Sequence, residues 1–190
     1  MISLIGPGGS GKSTCGRLLA AELGSTFIDL DQEFISRIGD IAQHIARQGY
    51  KSYTRCNVSL FLSIEPHLQA QDVLVLSSGF MCYNSNIHQD YGACRDQILN
   101  HDRTYCILAS HEFIQCIDET VRRQMQRPYL KTSPDRQREI IMERYPVYGG
   151  LSVKHVENWG NPMRAVNLMI ADMRANKTLE RRPLRGATQL

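Results

Sequence analysis

The sequence lacks the features that would place it in a membrane, a disulfide scaffold or a nucleic-acid complex. None of its apolar runs approaches the roughly 18 residues that a membrane-spanning helix needs. Its six cysteines include no Cys-x-x-Cys pair and no histidine spacing suited to zinc, so we expect reduced thiols. Lysine and arginine number 22 against 19 acidic residues, a formal net charge of +3 without a basic stripe, which gives no argument for a nucleic-acid partner.

We expect no signal peptide, because the apolar run from Met1 already predicts a strand. We therefore expect a cytoplasmic protein without a membrane partner. We also expect a monomer. Its 190 residues suit one compact domain, which we predict over 1–176. A basic and flexible tail is expected over 177–190.

The sequence does contain a phosphate-binding loop at its amino terminus. The apolar run 1–5 leads into the Walker A pattern Gly6-Pro7-Gly8-Gly9-Ser10-Gly11-Lys12-Ser13-Thr14. Glycines let backbone N–H groups surround a phosphate, Lys12 is expected to reach the β- and γ-phosphates, and the Ser13 hydroxyl is expected to bind Mg²⁺. The alternative is an ordinary glycine-rich turn between a strand and a helix.

Strands and helices alternate along the rest of the chain. Strand patterns occur at 1–5, 26–31, 73–78, 104–108 and 151–156. Helical patterns occur at 13–23, 32–38, 41–47, 52–68, 88–100, 111–125, 134–145 and 161–175, with Pro146 expected to end the seventh. This alternation predicts a five-stranded parallel sheet covered by helices on both faces, with its binding groups at the carboxyl ends of the strands.

Two carboxylates stand at such a carboxyl end, where the second predicted strand runs into Asp29 and Asp31. A kinase for hydroxylated molecules needs a carboxylate to orient or accept the hydroxyl proton, and Asp31 is the candidate base. Asp29 is the candidate for holding a water on Mg²⁺. The alternative is that Asp31 caps the following helix. No Asn-Lys-x-Asp run occurs, which argues against a GTPase.

Several stretches together resemble one family. The loop continues as Cys15-Gly16-Arg17-Leu18-Leu19-Ala20, and the second strand ends as Phe27-Ile28-Asp29-Leu30-Asp31. Later stretches read Arg127-Pro128-Tyr129-Leu130 and Glu143-Arg144-Tyr145-Pro146-Val147-Tyr148. Over most of 1–175 this combination resembles the shikimate kinase family, in which Gly-Arg-x-Leu-Ala follows the loop, an Asp-x-Asp pair ends the second strand, Arg-Pro-Leu-Leu follows the lid and Arg-x-Pro-x-Tyr ends a helix.

The resemblance implies ATP- and Mg²⁺-dependent phosphorylation of shikimate on a three-layer α/β/α kinase fold. It implies a substrate-binding insertion at about 31–60 and a lid at about 114–132. ATP would be bound by Gly8, Gly9, Ser10, Gly11, Lys12, Ser13, Thr14, Arg122, Asn161 and Pro162. Shikimate would be bound by Asp31, Arg55, Gly79 and Arg144. Arg122 or Arg123, with Arg123 as the catalytic candidate, would stabilise the transferring phosphoryl group, unless both are solvated helix arginines.

The largest departure from the family lies at Ser78-Gly79-Phe80-Met81, where the family has three consecutive glycines. Phe80 and Met81 are expected to add bulk where the acceptor ring should lie. Two alternatives therefore stay open. One is a related kinase for another sugar acid or polyol, and the other is a non-catalytic ligand sensor on the same fold.

Overall fold

A computed structural model describes residues 1–127 and 132–180, with side chains as far as 176. Five strands form one parallel sheet: β1 (Ile2–Ile5), β2 (Phe27–Asp29), β3 (Val73–Val75), β4 (Thr104–Leu108) and β5 (Lys154–Glu157). Their order is β2-β3-β1-β4-β5, which confirms the predicted sheet. In the central strand, Leu4 lies opposite Val75 of β3 and Tyr105 of β4.

Eight helices of the described residues surround this sheet: α1 (Lys12–Leu23), α2 (Leu30–Arg37), α3 (Ile41–Gln48), α4 (Tyr50–Ile64), α5 (Tyr91–Leu99), α6 (Phe113–Met125), α7 (Pro134–Gly149) and α8 (Pro162–Glu180). Successive residues of a strand point to opposite faces. Leu4 accordingly belongs to a core cluster with Leu19 of α1 and Met169 of α8, whereas Ile5 belongs to a second cluster with Phe61 of α4. The two clusters make the three layers that the alternation predicts.

The end of α7 differs from the sequence-based prediction. Pro146 was expected to end this helix after Tyr145, yet the helix continues through the proline to Gly149. A proline inside a helix lacks one backbone hydrogen bond. Tertiary contacts hold the segment here, because Tyr148 is fully buried and its hydroxyl donates to the Ser78 carbonyl at 2.9 Å.

The second strand and the last helix also have different ends from those expected. β2 stops at Asp29, and Asp31 lies in the first turn of α2. Asp29 caps this helix, since its Oδ1 accepts from the Asp31 backbone N–H at 3.0 Å. α8 runs to Glu180, so the first four residues of the predicted tail are helical.

Part of the predicted lid, 128–131, and the tail from 181 onward lie outside the described residues. Within the described ranges, no helix combines the length and the apolarity needed to cross a bilayer.

Candidate active site

The phosphate-binding loop leaves the central strand and turns into α1, so it stands at the carboxyl edge of the sheet. Gly11 directly precedes α1 and has φ of +93°, a backbone conformation that costs little only for glycine. A Cβ at Gly11 would lie 2.0 Å from Asn158 Nδ2, and that nitrogen donates to the Ser10 carbonyl at 2.8 Å. The backbone angle therefore favours glycine here, and a larger residue would also displace the Asn158 amide from the Ser10 carbonyl.

Lys12 is a buried cation without an anionic partner. Its ammonium donates to the carbonyls of Gly6 at 2.8 Å and Pro7 at 2.9 Å, and it forms no ion pair with any described residue. Burial lowers the pKa of Lys12 to about 8, against the opposing influence of Asp31 and Asp29. A buried charge of this kind is stabilised by an opposite charge. The loop thus has the donors and the charge that fit a polyphosphate.

Ser13 and Asp29 meet beside the loop, with the Ser13 hydroxyl donating to Asp29 Oδ2 at 2.6 Å. Hydroxyl and carboxylate oxygens are ligands that Mg²⁺ accepts. In the described ranges no group of three His, Cys, Asp or Glu side chains could hold a metal ion alone. Ser13 and Asp29 therefore fit an ion that takes its other ligands from phosphate and water, as Mg²⁺ usually does.

Asp31 faces the loop across a narrow cleft that is also lined by Lys12, Ser13, Ser78 and Arg127. Burial raises the pKa of Asp31, while its hydrogen bond from Ser77 opposes that rise. The placement brings a carboxylate, the loop lysine and an arginine to one cleft. A larger and shallower groove of about 420 Å³ lies at the amino-terminal ends of β4 and β5, away from the loop.

Arg144 of α7 lies next to Ser78, one of the residues that line the cleft. Its guanidinium donates to the Ser78 hydroxyl at 3.2 Å and to the Tyr50 hydroxyl at 3.3 Å. Gly79 packs against both side chains, because a Cβ there would lie 2.8 Å from Tyr50 Oη and 3.2 Å from Arg144. The structure thus brings Arg144 and Gly79 together, as the sequence predicts.

Phe80 and Met81 do not crowd this cleft. Both side chains are buried, 0% and 2% exposed, in the core cluster that also contains Phe61. The expectation of added bulk at the acceptor ring is therefore wrong, because the short helical turn at Phe80–Cys82 directs these residues into the core. Of the four residues Ser78–Met81, the one whose side chain lines the cleft is Ser78.

Arg55 is not joined to these groups. It is exposed, and its Nε donates to the Ile87 carbonyl at 3.2 Å. From α4, Tyr53 contacts Asp31, Tyr50 contacts Arg144, and Asn57 contacts Ser77. A substrate-binding role for Arg55 stays a prediction.

The arginines at the end of α6 differ in their surroundings. Arg122 is exposed and pairs with Glu119, and these bonds lower the pKa of Glu119 to about 2. Arg123 also pairs with Glu119, and it donates to the carbonyls of Ser10 and Asn158. Arg127 lines the cleft itself. Contacts of Arg122 and Arg123 with a nucleotide stay predictions.

Asn161 and Pro162 stand at the start of α8, where the Asn161 side chain accepts from the Met163 backbone N–H at 2.9 Å. Their predicted contact with adenine is not tested by this geometry. Exposed Thr14 follows Ser13 in the first turn of α1.

Sequence reasoning missed five side chains around the site: Tyr50, Tyr53, Asn57, Ser77 and Arg127. The first three were detectable in principle, because spacings of three and four place 50, 53 and 57 on one face of a helix. Polar groups on an otherwise buried helix face indicate a partner on that side. Nothing in the sequence indicated that Ser77 would meet Asn57.

Comparison with known proteins agrees with this geometry. The family model described as Shikimate kinase matches residues 8–174, which is most of the chain. The chain belongs to the shikimate kinase family. It is similar to the shikimate kinase of Pseudomonas fluorescens, with 33% identity over 89% of this chain and 92% of the relative, and to that of Persephonella marina, with 26% identity over 91% and 98%.

The family's solved structures share the fold. The shikimate kinase from Acinetobacter baumannii in complex with shikimate superposes with a TM-score of 0.68. The match covers 95% of this chain and 94% of that one at 20% sequence identity. The fold of the chain is therefore the α/β fold of P-loop kinases, and its family is one of transferases.

Proposed function

We propose that the protein transfers the γ-phosphoryl group of ATP to a hydroxyl group of shikimate. The observation that carries the proposal is the buried Lys12, which forms no ion pair with a described residue and lines one cleft with Asp31, while Arg144 is hydrogen-bonded to Ser78 of the same cleft. Lys12 would bind a phosphate, Asp31 would accept a proton, and Arg144 would bind a carboxylate. These are the three tasks of an enzyme that brings ATP and a hydroxy acid together. Membership of the shikimate kinase family supports the choice of acid.

On the nucleotide side, the backbone of Gly8 to Thr14 would bind the phosphates and Lys12 the β- and γ-phosphoryl oxygens. Ser13 would hold Mg²⁺ directly and Asp29 through water. When bound, the ion neutralises charge on the β- and γ-phosphates. Because Arg127 lines the cleft, we assign it to the transferring phosphoryl group. Arg123 would act by holding the Ser10 carbonyl of the loop.

On the acceptor side, Asp31 would accept the proton of the hydroxyl whose oxygen attacks the γ-phosphorus. The bond from that phosphorus to the β–γ bridging oxygen breaks, and ADP leaves. Arg144 would hold the carboxylate of the acid through two parallel hydrogen bonds, a geometry that a planar guanidinium suits. Because both ends of the acid would be held, its attacking oxygen would lie in line with the γ-phosphorus and the β–γ bridging oxygen.

A second candidate is a kinase for another hydroxy acid, such as a sugar acid. It is favoured by the hydroxyls of Ser78 and Tyr50, which surround Arg144 and could bind additional hydroxyl groups. A ligand sensor without catalysis is disfavoured because Lys12, Ser13, Asp29 and Asp31 are all present in one cleft.

Steady-state ADP formation tests the proposal. Purified protein with ATP and Mg²⁺ is given shikimate, quinate or gluconate in parallel, and Lys12→Ala protein controls for contaminating kinases. We expect the highest kcat/KM with shikimate. A higher value with gluconate would favour the second candidate, and binding of an acid without ADP formation would identify a sensor.

A further inference from the structure

A chain of two buried polar side chains, Asn57 and Ser77, ends on half-buried Asp31. Asn57 of α4 and Ser77, which follows β3, are 0% and 2% exposed. Asn57 Nδ2 lies 2.9 Å from Ser77 Oγ, and Ser77 Oγ lies 2.5 Å from Asp31 Oδ1. These residues come from three separate elements, so the chain exists only in the folded protein.

The direction of these hydrogen bonds follows from the single proton of the Ser77 hydroxyl. A carboxylate oxygen cannot donate, and the contact with Asp31 is shorter than the 3.2 Å contact with Asn57 Oδ1. The hydroxyl proton therefore goes to Asp31. Asn57 can then only donate its amide hydrogen to Ser77 Oγ. The Asp31 carboxylate is thus held by hydrogen bonds that come from its core side.

Tyr53 completes the arrangement from the same helix. Its hydroxyl donates to Asp31 Oδ1 at 3.2 Å, and its ring packs against Phe34 at 5.1 Å between centroids. Asp31 Oδ1 thereby accepts two hydrogen bonds. Asp31 Oδ2 accepts none from the part of the chain that the structure describes. One oxygen is occupied, and the other is available.

We propose that Asn57 and Ser77 are positioning residues that hold Asp31 by Oδ1, so that Oδ2 is the oxygen that accepts the proton of the acceptor hydroxyl. This inference rests on the proposed function, because it requires a hydroxyl acceptor. It adds residues to which no role in phosphoryl transfer is assigned by the phosphate-loop pattern. Neither residue needs to touch the acceptor, since both act through Asp31.

The chain Asn57–Ser77–Asp31 is here called the relay. It is tested by the kinetics of Ser77→Ala, Asn57→Ala and the double variant, with shikimate as acceptor. General base catalysis contributes roughly 10²- to 10⁴-fold to the rate, and a base that is no longer oriented loses part of this contribution. Ser77→Ala is therefore expected to lower kcat by about 10- to 100-fold. The KM for ATP should stay unchanged. Because Asn57 acts only through Ser77, adding Asn57→Ala to Ser77→Ala should cost less than about twofold, whereas independent sites multiply their effects.

Ser63→Ala is the matched control, because Ser63 lies on the same helix and its hydroxyl donates only to the Leu60 carbonyl. Its kcat should equal that of the unchanged protein. The relay would be overturned if the kcat losses of the two single variants multiplied in the double variant. It would also be overturned if Ser77→Ala changed only the KM for ATP. Thermal unfolding of each variant identifies any loss of activity caused by unfolding.

A crystal structure of Ser77→Ala supplies a readout that does not depend on the acceptor. We expect the Asp31 carboxylate to rotate or to occupy two conformers once its Oδ1 loses the Ser77 hydroxyl. An unchanged single conformer would overturn the proposal. If the unchanged protein does not phosphorylate shikimate, the proposed function fails, and this structure still decides the relay.

Discussion

Replacing Arg144 by alanine should weaken acceptor binding while leaving ATP binding intact. The guanidinium is half-buried and donates to two neutral hydroxyls, of Ser78 and Tyr50. No described carboxylate lies within ion-pair distance of it. Its charge is therefore available to the carboxylate of an acid.

The size of the effect follows from the hydrogen bonds that would be lost. A hydrogen bond to a charged group contributes about 1.5–3 kcal/mol, and partial exposure of Arg144 to solvent reduces the sum for two such bonds to about 2–3 kcal/mol. Since about 1.4 kcal/mol corresponds to a factor of ten, the KM for shikimate should rise about 30- to 150-fold. Arg144→Lys keeps the charge but loses the planar fork, so its KM should fall between the two.

The assay is ADP formation with shikimate varied at saturating ATP, supported by calorimetric titration of shikimate. Arg136→Ala is the matched control, because Arg136 lies on the same helix and its exposed guanidinium pairs with Glu139. We expect its KM to change by less than about threefold, as for exposed charges. An unchanged KM in Arg144→Ala, or an equal rise in both variants, would refute the assignment of Arg144 to the carboxylate of the acid.

Four further substitutions test the nucleotide site, the base and the fold. Lys12→Ala or Asp31→Asn should abolish ADP formation and leave the circular dichroism spectrum unchanged; turnover at the original rate would contradict the mechanism. Gly11→Ala combines the left-handed backbone, costing about 1–2 kcal/mol, with the 2.0 Å clash, so ATP affinity measured by titration should fall at least tenfold. Asp72→Ala should lower the free energy of unfolding in urea by about 2 kcal/mol, because its carboxylate accepts from the backbone N–H groups at 26 and 69. These hydrogen bonds lower the pKa of Asp72, so the difference should be complete above the usual carboxyl pKa and disappear as the pH falls below the folded value; a difference that persists in acid would exclude this cause.

Much of the fold was predictable because its signals are local. The glycines, lysine and serine of the loop act through their neighbours in the chain, and the branched apolar run at Val73–Val75 is typical of a strand buried on both faces. The end of α7 was not predictable from local rules. Pro146 predicts a break, and only the burial of Tyr148 under the sheet explains the continuing helix.

The sequence by itself determined the phosphate-binding loop, the alternation that forms the parallel sheet, and the acidic pair at the end of β2. Those features depend on residue type and spacing over a few positions. Only the tertiary structure decided that Phe80 enters the core, that Arg55 faces solvent, and that Asn57 and Ser77 meet Asp31. The physical reason is that a helix can present any of its faces to a neighbour, and the packing of α4 against β3 selects which polar groups reach the cleft.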